Sequence, residues 1–388
     1  MAGFLPHPMR GLSKIAWKML VRERAKFSIL VFALGFCTLL IVQQASIFCG
    51  LMYWTTANLR NFNAPIWVVD QQVEDPNATV GLRNIEVERV RSISGVGWAY
   101  PLFLGNLSAR LSNGQQQTVQ MVGIDATSLV GRPLHMRSGR VEDLRLPDAV
   151  IVDRQTETFF TRKGITLRIG SLFEINDRRA QVVGFCDTAK SFAGQPCVFS
   201  TFDRALDYAP PQRTQLSAIL VAPVPGVSSS ELVTRMNRLK GLHAIARDAF
   251  FWQTIWFYVE TSGIPISFGT VVVLGVVVGI AVAGQTFYLF VNDNLRYLAA
   301  LKAMGATNGR LAMMVASQAA NVGFLGFGLG SGVAALFGFG AMKDPDFPFI
   351  LPWPVIAFAA AITVFICLVS GAIALRRIAT IEPATVFK

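Results

Sequence analysis

The residue types that most often carry catalysis are sparse and scattered in this sequence. Its three histidines, His7, His135 and His243, stand far apart, and none lies beside a cysteine at a spacing that would build a zinc site. No Gly-x-x-x-x-Gly-Lys-Ser/Thr phosphate loop occurs; the nearest glycine-rich run, Gly323 to Gly332, sits in an apolar stretch and contains no lysine. Asp143, Asp153 and Asp187 are acids of the kind used in proton transfer, but nothing in their spacing pairs them with a base, and they read as solvated or ion-paired side chains. No catalytic residue, metal site or cofactor of its own is therefore expected in this chain. Of five cysteines, Cys37, Cys49 and Cys367 fall in or beside apolar stretches, where cysteine behaves as a small apolar residue. Cys186 and Cys197 lie in a polar region. In an oxidising compartment they could close a short loop and add about 2–3 kcal/mol, or they could remain thiols.

The elements around these residues explain the sparseness. The 388 residues are 52% apolar and only 15% charged, against about 25% charged in a soluble domain. That balance excludes a disordered chain and a disulfide-dense miniprotein. Four uncharged stretches are long enough to cross about 30 Å of hydrocarbon, roughly Phe27 to Gly50, Ile264 to Val291, Leu311 to Met342 and Val355 to Leu375. None carries an ionisable group in its apolar core, so an ion-coupled pump is not expected. The first stretch is too long for a cleaved leader and reads as an uncleaved anchor. Twelve basic and three acidic residues lie in 1–26, 292–310 and 376–388, which places both termini and the 292–310 connection in the cytoplasm. Topology accounts for the net charge of +11 without nucleic-acid binding. The expected fold is an α-helical membrane protein with four transmembrane helices plus an α+β extracytoplasmic domain inserted between helices 1 and 2.

That inserted segment, residues 51–262, is nearly charge-balanced, with 22 basic and 19 acidic residues. Strands are predicted at Ile66–Val69, Ala149–Val152, Leu172–Ile175, Gln181–Phe185 and Ser217–Val221, and helices at Ile85–Ser94 and after Ser228–Ser230. Asn113–Gly114, between Leu107–Leu111 and Thr118–Val122, predicts a hairpin. Two lobes, divided near residues 125–150, are expected. The aromatic run Phe250–Phe251–Trp252 and Trp256–Phe257–Tyr258 precedes the second span, where rings suit a membrane interface or a stalk. A loop at 343–354 joins spans three and four.

Three short segments remain. Residues 11–26 present Leu12, Ile15, Ala16, Met19 and Leu20 on one face and Lys14, Lys18 and Arg22 on the other, the pattern of an amphipathic helix on the inner leaflet, with Trp17 at the interface. Leu295, Leu298, Leu301, Lys302 and Met304 recur at helical spacing; Gly305 is placed to end that helix and Thr307 to cap the next. Such a ridge suits either a partner's groove or an ordinary helical hairpin. The third segment is the polar tail from Arg376. In the third span, Gly326/Gly330 and Gly328/Gly332 form two small-xxx-small pairs that permit close helix packing, within the chain or between two copies.

Leu298-Ala-Ala-Leu-Lys-Ala-Met-Gly-Ala306 resembles the Glu-Leu-Ala-x-Leu-Lys/Arg-Ala-hydrophobic-Gly-Ala/Ser signature of MacB/FtsX-type (type VII) ABC transporter permeases. Tyr297 stands where that signature has its acid, so a salt bridge to an ATPase there is not carried over. Ile381-Glu-Pro-Ala-Thr-Val-Phe387 resembles the family's closing motif, and Ile15 to Arg24 its basic pre-anchor helix. The layout of one anchor, a large insert and three spans is similar throughout, and the chain length is most like the DevC-like branch. The resemblance implies a non-catalytic permease subunit in a bacterial inner membrane, paired with a second copy of itself and two cytoplasmic ABC ATPase chains that hold ATP and magnesium. A membrane-fusion adaptor and an outer-membrane channel are further implied partners. It implies that Leu295, Tyr297, Leu298, Leu301, Lys302, Met304 and Gly305 couple ATPase motion to the extracytoplasmic domain, which would expel a lipid, hydrophobic compound or peptide. Two alternatives stand beside it: an FtsX/LolC-E-like regulator of a cell-wall hydrolase or lipoprotein extractor, and an ATP-independent membrane-anchored sensor or scaffold.

Overall fold

A computed structural model describes residues 16–77, 80–192, 194–210, 215–342 and 347–379, with side chains up to Arg376. In chain order, α1 (Arg24–Thr55) and α2 (Ala57–Asn61) precede β1 (Ile66–Asp70), α3 (Ile85–Arg91), β2 (Val96–Arg110), β3 (Gln116–Ile124), β4 (His135–Ser138) and β5 (Ala149–Asp153). Then come α4 (Arg154–Arg162), β6 (Leu172–Ile175), β7 (Arg178–Asp187), β8 (Cys197–Thr201), α5 (Phe202–Tyr208), β9 (Ala218–Pro223), α6 (Ser229–Met236), β10 (Leu242–Ala246) and α7 (Arg247–Thr261). The remainder is helical: α8 (Ile264–Asp293), α9 (Leu295–Ala303), α10 (Asn308–Ala341) and α11 (Trp353–Ala379). Two compact units result, one of residues 52–262 and the other of the described parts of 1–51 and 263–388. The α+β domain is thus inserted between the first and second apolar helices.

The first unit is built on one ten-stranded sheet in the order β10-β1-β9-β2-β3-β8-β5-β7-β4, with β6 pairing β2 and β7. The β2–β3 hairpin turns where Asn113–Gly114 predicts, because Gly114 takes φ +78°, a conformation a side chain would strain. Ser228 accepts from the Glu231 amide at 3.2 Å and so starts α6. The sheet is not interrupted near 125–150: β3 pairs β8, and β8 pairs β5, so strands from both sides of that region share one ladder. Strands β4, β8 and β10 are not among those expected from the sequence. Trp67 anchors one face, fully buried with ring centroids 5.9 Å from Phe62 and 6.1 Å from Phe250.

Cys186 and Cys197 do not form a disulfide; both are free, buried thiols. Strand β5 lies between their strands, with Asp153 opposite Cys186. Two strand spacings place the Cα atoms about 10 Å apart, beyond the reach of an S–S bond. The Cys197 thiol instead lies 3.3 Å from Gln120 Oε1. Burial pushes both thiols up, away from thiolate character. Asp153 caps α4, accepting from the Thr156 amide and hydroxyl, both at 2.7 Å, and from the Thr188 hydroxyl at 2.9 Å. Asp187 pairs with Arg154 at 3.0 Å, and Asp143 accepts from the Arg140 amide at 3.1 Å.

Burial raises the Asp153 pKa, and the hydrogen bonds from Thr156, Thr188 and the Cys197 backbone only partly oppose it. A carboxyl raised on folding contributes its stability in full below its unfolded value of about 4 and loses it as pH climbs through the folded value. Asp153→Asn keeps a competent cap. The variant should therefore lose less stability than the parent as pH rises above about 4, measured as amide-exchange protection of β5 and β7.

In the second unit, α1, α8, α10 and α11 are each long and apolar enough to cross a membrane. Their packing depends on small residues. A side chain at Gly326 would sit 2.7 Å from Leu34 Cβ, and one at Gly330 2.7 Å from Thr38 Cβ and against the Gly35 carbonyl, so this pair seats α10 on α1 of the same chain rather than on a second copy. Gly328 and Gly332 face open space. The Thr38 and Thr363 hydroxyls share a 3.0 Å hydrogen bond between α1 and α11. Between α10 and α11 an apolar groove of about 670 Å³ remains, lined by Ala316, Gly323, Phe327, Cys367, Gly371 and others.

Candidate functional site

The segment 293–310 is short and rich in polar groups between two apolar helices. Asn294 separates α8 from α9 and donates to Glu23 Oε1 at 3.0 Å. Lys26 bridges two acids, Glu23 at 2.7 Å and Asp293. Arg22 reaches the Tyr297 hydroxyl at 3.5 Å and lies 5.8 Å from its ring centroid. Residues 22–26, which run into the first turn of α1, thus hold the α8–α9 junction through charge, aromatic and amide contacts. A further bond, Gln318 Nε2 to the Ala16 carbonyl at 2.9 Å, joins the segment ahead of them to α10.

Helix α9 ends as its sequence predicts. Gly305 takes φ +92°, its amide donates to Lys302 O, and the Ala306 amide donates to Leu301 O, each at 3.0 Å. These two bonds satisfy the last carbonyls of the helix. Thr307 then caps α10, accepting from the Arg310 amide at 3.4 Å. The stop and restart hold Met304 at the turn, 76% exposed.

The apolar ridge faces the other way from the one a docking helix requires. Leu298 is 3% exposed and Ala299 fully buried; Leu295 and Leu301 pack against the same core, among Phe290, Leu311 and Met314. Lys302 is half-buried. The outward face consists of Arg296, Tyr297, Ala303 and Met304. Periodicity locates an apolar stripe but not which way it turns, and in this unit the bundle core takes it. Likewise Ala16 and Leu20 are buried in the bundle core rather than presented to a leaflet, while Trp17 is partly exposed and stacks edge-on to Phe27 at 5.8 Å. Leu12, Ile15, the loop residues 343–346 and the closing motif Ile381 to Phe387 lie outside the described residues.

The Glu23–Lys26–Asp293–Asn294 cluster escapes a reading by motif. The signal for it is charge: Glu23 is the one acid in residues 1–26, and Asp293 the one acid in 292–310. Two lone acids in basic stretches have reason to be paired.

Residues 269–383 match the FtsX-like permease C-terminal family model. The match takes in most of α8, all of α9 and α10, and α11, so the outward face of α9 lies inside the FtsX-like segment. No curated protein matches the chain. Among solved structures, the chain is similar to the periplasmic region of MacB from Actinobacillus actinomycetemcomitans (16% identity, 53% of this chain and 97% of that one, TM-score 0.38). It is also similar to the extracellular domain of the noncanonic ABC-type transporter YknZ from Gram-positive bacteria (12% identity, 47% and 98%, TM-score 0.36).

Proposed function

We propose that this chain is the permease subunit of a type VII ABC export complex, taking its energy from a separate ATPase that binds ATP and magnesium. The observation that carries this reading is the exposed Tyr297–Met304 face of α9, inside the FtsX-like segment and backed by a helix whose other side is locked into the bundle. The basic flanks support a cytoplasmic position for it and for both termini, and hence a periplasmic position for the sheet unit. A rigidly backed, outward patch can pass displacement onward, whereas a loose loop would absorb it. The ATPase would move α9 only if it contacts that face differently in its two nucleotide states. The ion-paired segment 22–26 and the Asp293–Asn294 junction would carry the displacement into α1 and α8, the two helices that lead in sequence to the sheet unit. In this reading a second copy of the chain completes the complex, with the Gly328 and Gly332 face of α10 free to meet it. A periplasmic adaptor receives the cargo, a lipid, hydrophobic compound or peptide.

Introducing Tyr297→Asp and Met304→Asp together should remove the ATPase from the purified complex while leaving the permease folded, because both side chains are more exposed than buried and an aspartate at 297 can still pair with Arg22. A drop in co-purified ATPase of about tenfold or more is the expected result, since a desolvated like-charge or unpaired-charge contact costs several kcal/mol. Undiminished co-purification would overturn the assignment of this face.

A further inference from the structure

In the sheet unit the Arg60 guanidinium is set between two cavities and, among the described residues, has no counter-charge. It sits at the end of α2, with its guanidinium carbon 3.4 Å from the Tyr53 ring centroid and Nη2 donating to the Tyr53 carbonyl at 2.7 Å. The stack and the single hydrogen bond fix the plane of the group. Its Nε is shut off from water and has no acceptor, and among the described residues no carboxylate pairs with it. A partly buried cation in this state is costly unless an anion completes it.

One of the two cavities, about 310 Å³, is lined by Leu59, Arg60, Arg247, Asp248 and Phe251. Arg247 begins α7, the helix packed on α2, and its only acid is Asp248, whose carboxylate is 3.5 Å away and 91% exposed. Two arginines therefore face one small space against one solvated carboxylate, over an apolar floor of Leu59 and Phe251. The other cavity is less suited to an anion. Asp187 lines it, and His135 is the only further basic group there.

We propose that Arg60 and Arg247 form a phosphate-binding clamp, and that the phosphate is that of a phospholipid. Planar guanidinium forks match the paired oxygens of a phosphate. The lipid source is favoured by α7 itself: Trp252 and Trp256, one turn apart, are each 60% exposed on this helix. Indole rings with an apolar body and a polar edge settle at the headgroup level of a bilayer. Both arginines also lie on the segments that lead directly to membrane-crossing helices, Arg60 five residues after α1 ends and Arg247 on the helix before α8. The clamp would hold a headgroup beside the sheet unit, and it stands independently of any ATPase.

The test uses the full chain, purified in detergent and titrated with phosphatidylglycerol, with diacylglycerol lacking the phosphate, and with inorganic phosphate alone, with bound lipid counted by native mass spectrometry. Phosphatidylglycerol should bind the parent and diacylglycerol should not compete. Arg60→Gln and Arg247→Gln should each weaken binding about tenfold, the loss of a charge-assisted contact, and Asp248→Asn should strengthen it by removing the competing carboxylate. Arg247 is half-exposed and its replacement leaves the fold intact, so that variant decides the matter if Arg60→Gln does not fold. Unchanged lipid binding in Arg247→Gln would overturn the clamp. Displacement of the lipid by equimolar inorganic phosphate would overturn the phospholipid as its ligand.

Discussion

Gly330→Leu is expected to leave no correctly packed helical unit, whereas Gly332→Leu, on the same helix, is expected to be tolerated. The first substitution drives a side chain into the Gly35 carbonyl and within 2.7 Å of Thr38 Cβ. Backbone cannot give way as a flexible side chain can, so α10 must lift off α1. Overpacking in a close-packed core costs about 1–3 kcal/mol when neighbours can adjust; here the Thr38–Thr363 bond beside it is at stake too. At Gly332 a new side chain meets nothing within 4 Å. Yield of monodisperse protein and its thermal midpoint in detergent check the pair. Equal stability of the two variants would refute the placement of Gly330 against α1.

Leu298→Asp is expected to destroy the fold of the helical unit rather than merely release an ATPase. Leu298 is enclosed by the bundle core, so aspartate there buries a carboxylate among apolar side chains. The cost is several kcal/mol, a large part of a protein's whole stability. Leu301→Asp, at a half-buried position, should be milder. Limited proteolysis across 293–310 distinguishes the outcomes: a folded Leu298→Asp protein that has lost only its partner would show that Leu298 faces outward. The contrast with the Tyr297 and Met304 pair separates residues that build α9 from residues that α9 presents.

How much of this was readable beforehand varies with the range of the interaction involved. The Gly305 stop and the Thr307 cap were legible, because each is settled within a few residues by backbone geometry. The β2–β3 hairpin was legible for the same reason at Asn113–Gly114. Cys186 and Cys197 stayed open, since eleven positions of sequence say nothing about the strand β5 that the sheet inserts between them. For Leu295, Leu298 and Leu301 the stripe was legible and its direction was not.

Hydropathy and local spacing by themselves determined the four apolar helices, the insertion of a mixed domain between the first two, and the short α9 helix. Those follow from properties each segment carries alone, the need to satisfy backbone groups in hydrocarbon and the repeat of the helix. Only the tertiary structure decided that Gly326 and Gly330 meet α1, that Glu23, Lys26 and Asp293 form one cluster, and that Arg60 and Arg247 share a cavity. Each of these depends on how an element is rotated and on what distant segment lies against it. That choice is made by close packing of the whole unit, where contacts between residues hundreds of positions apart select one rotation among many that the local pattern allows.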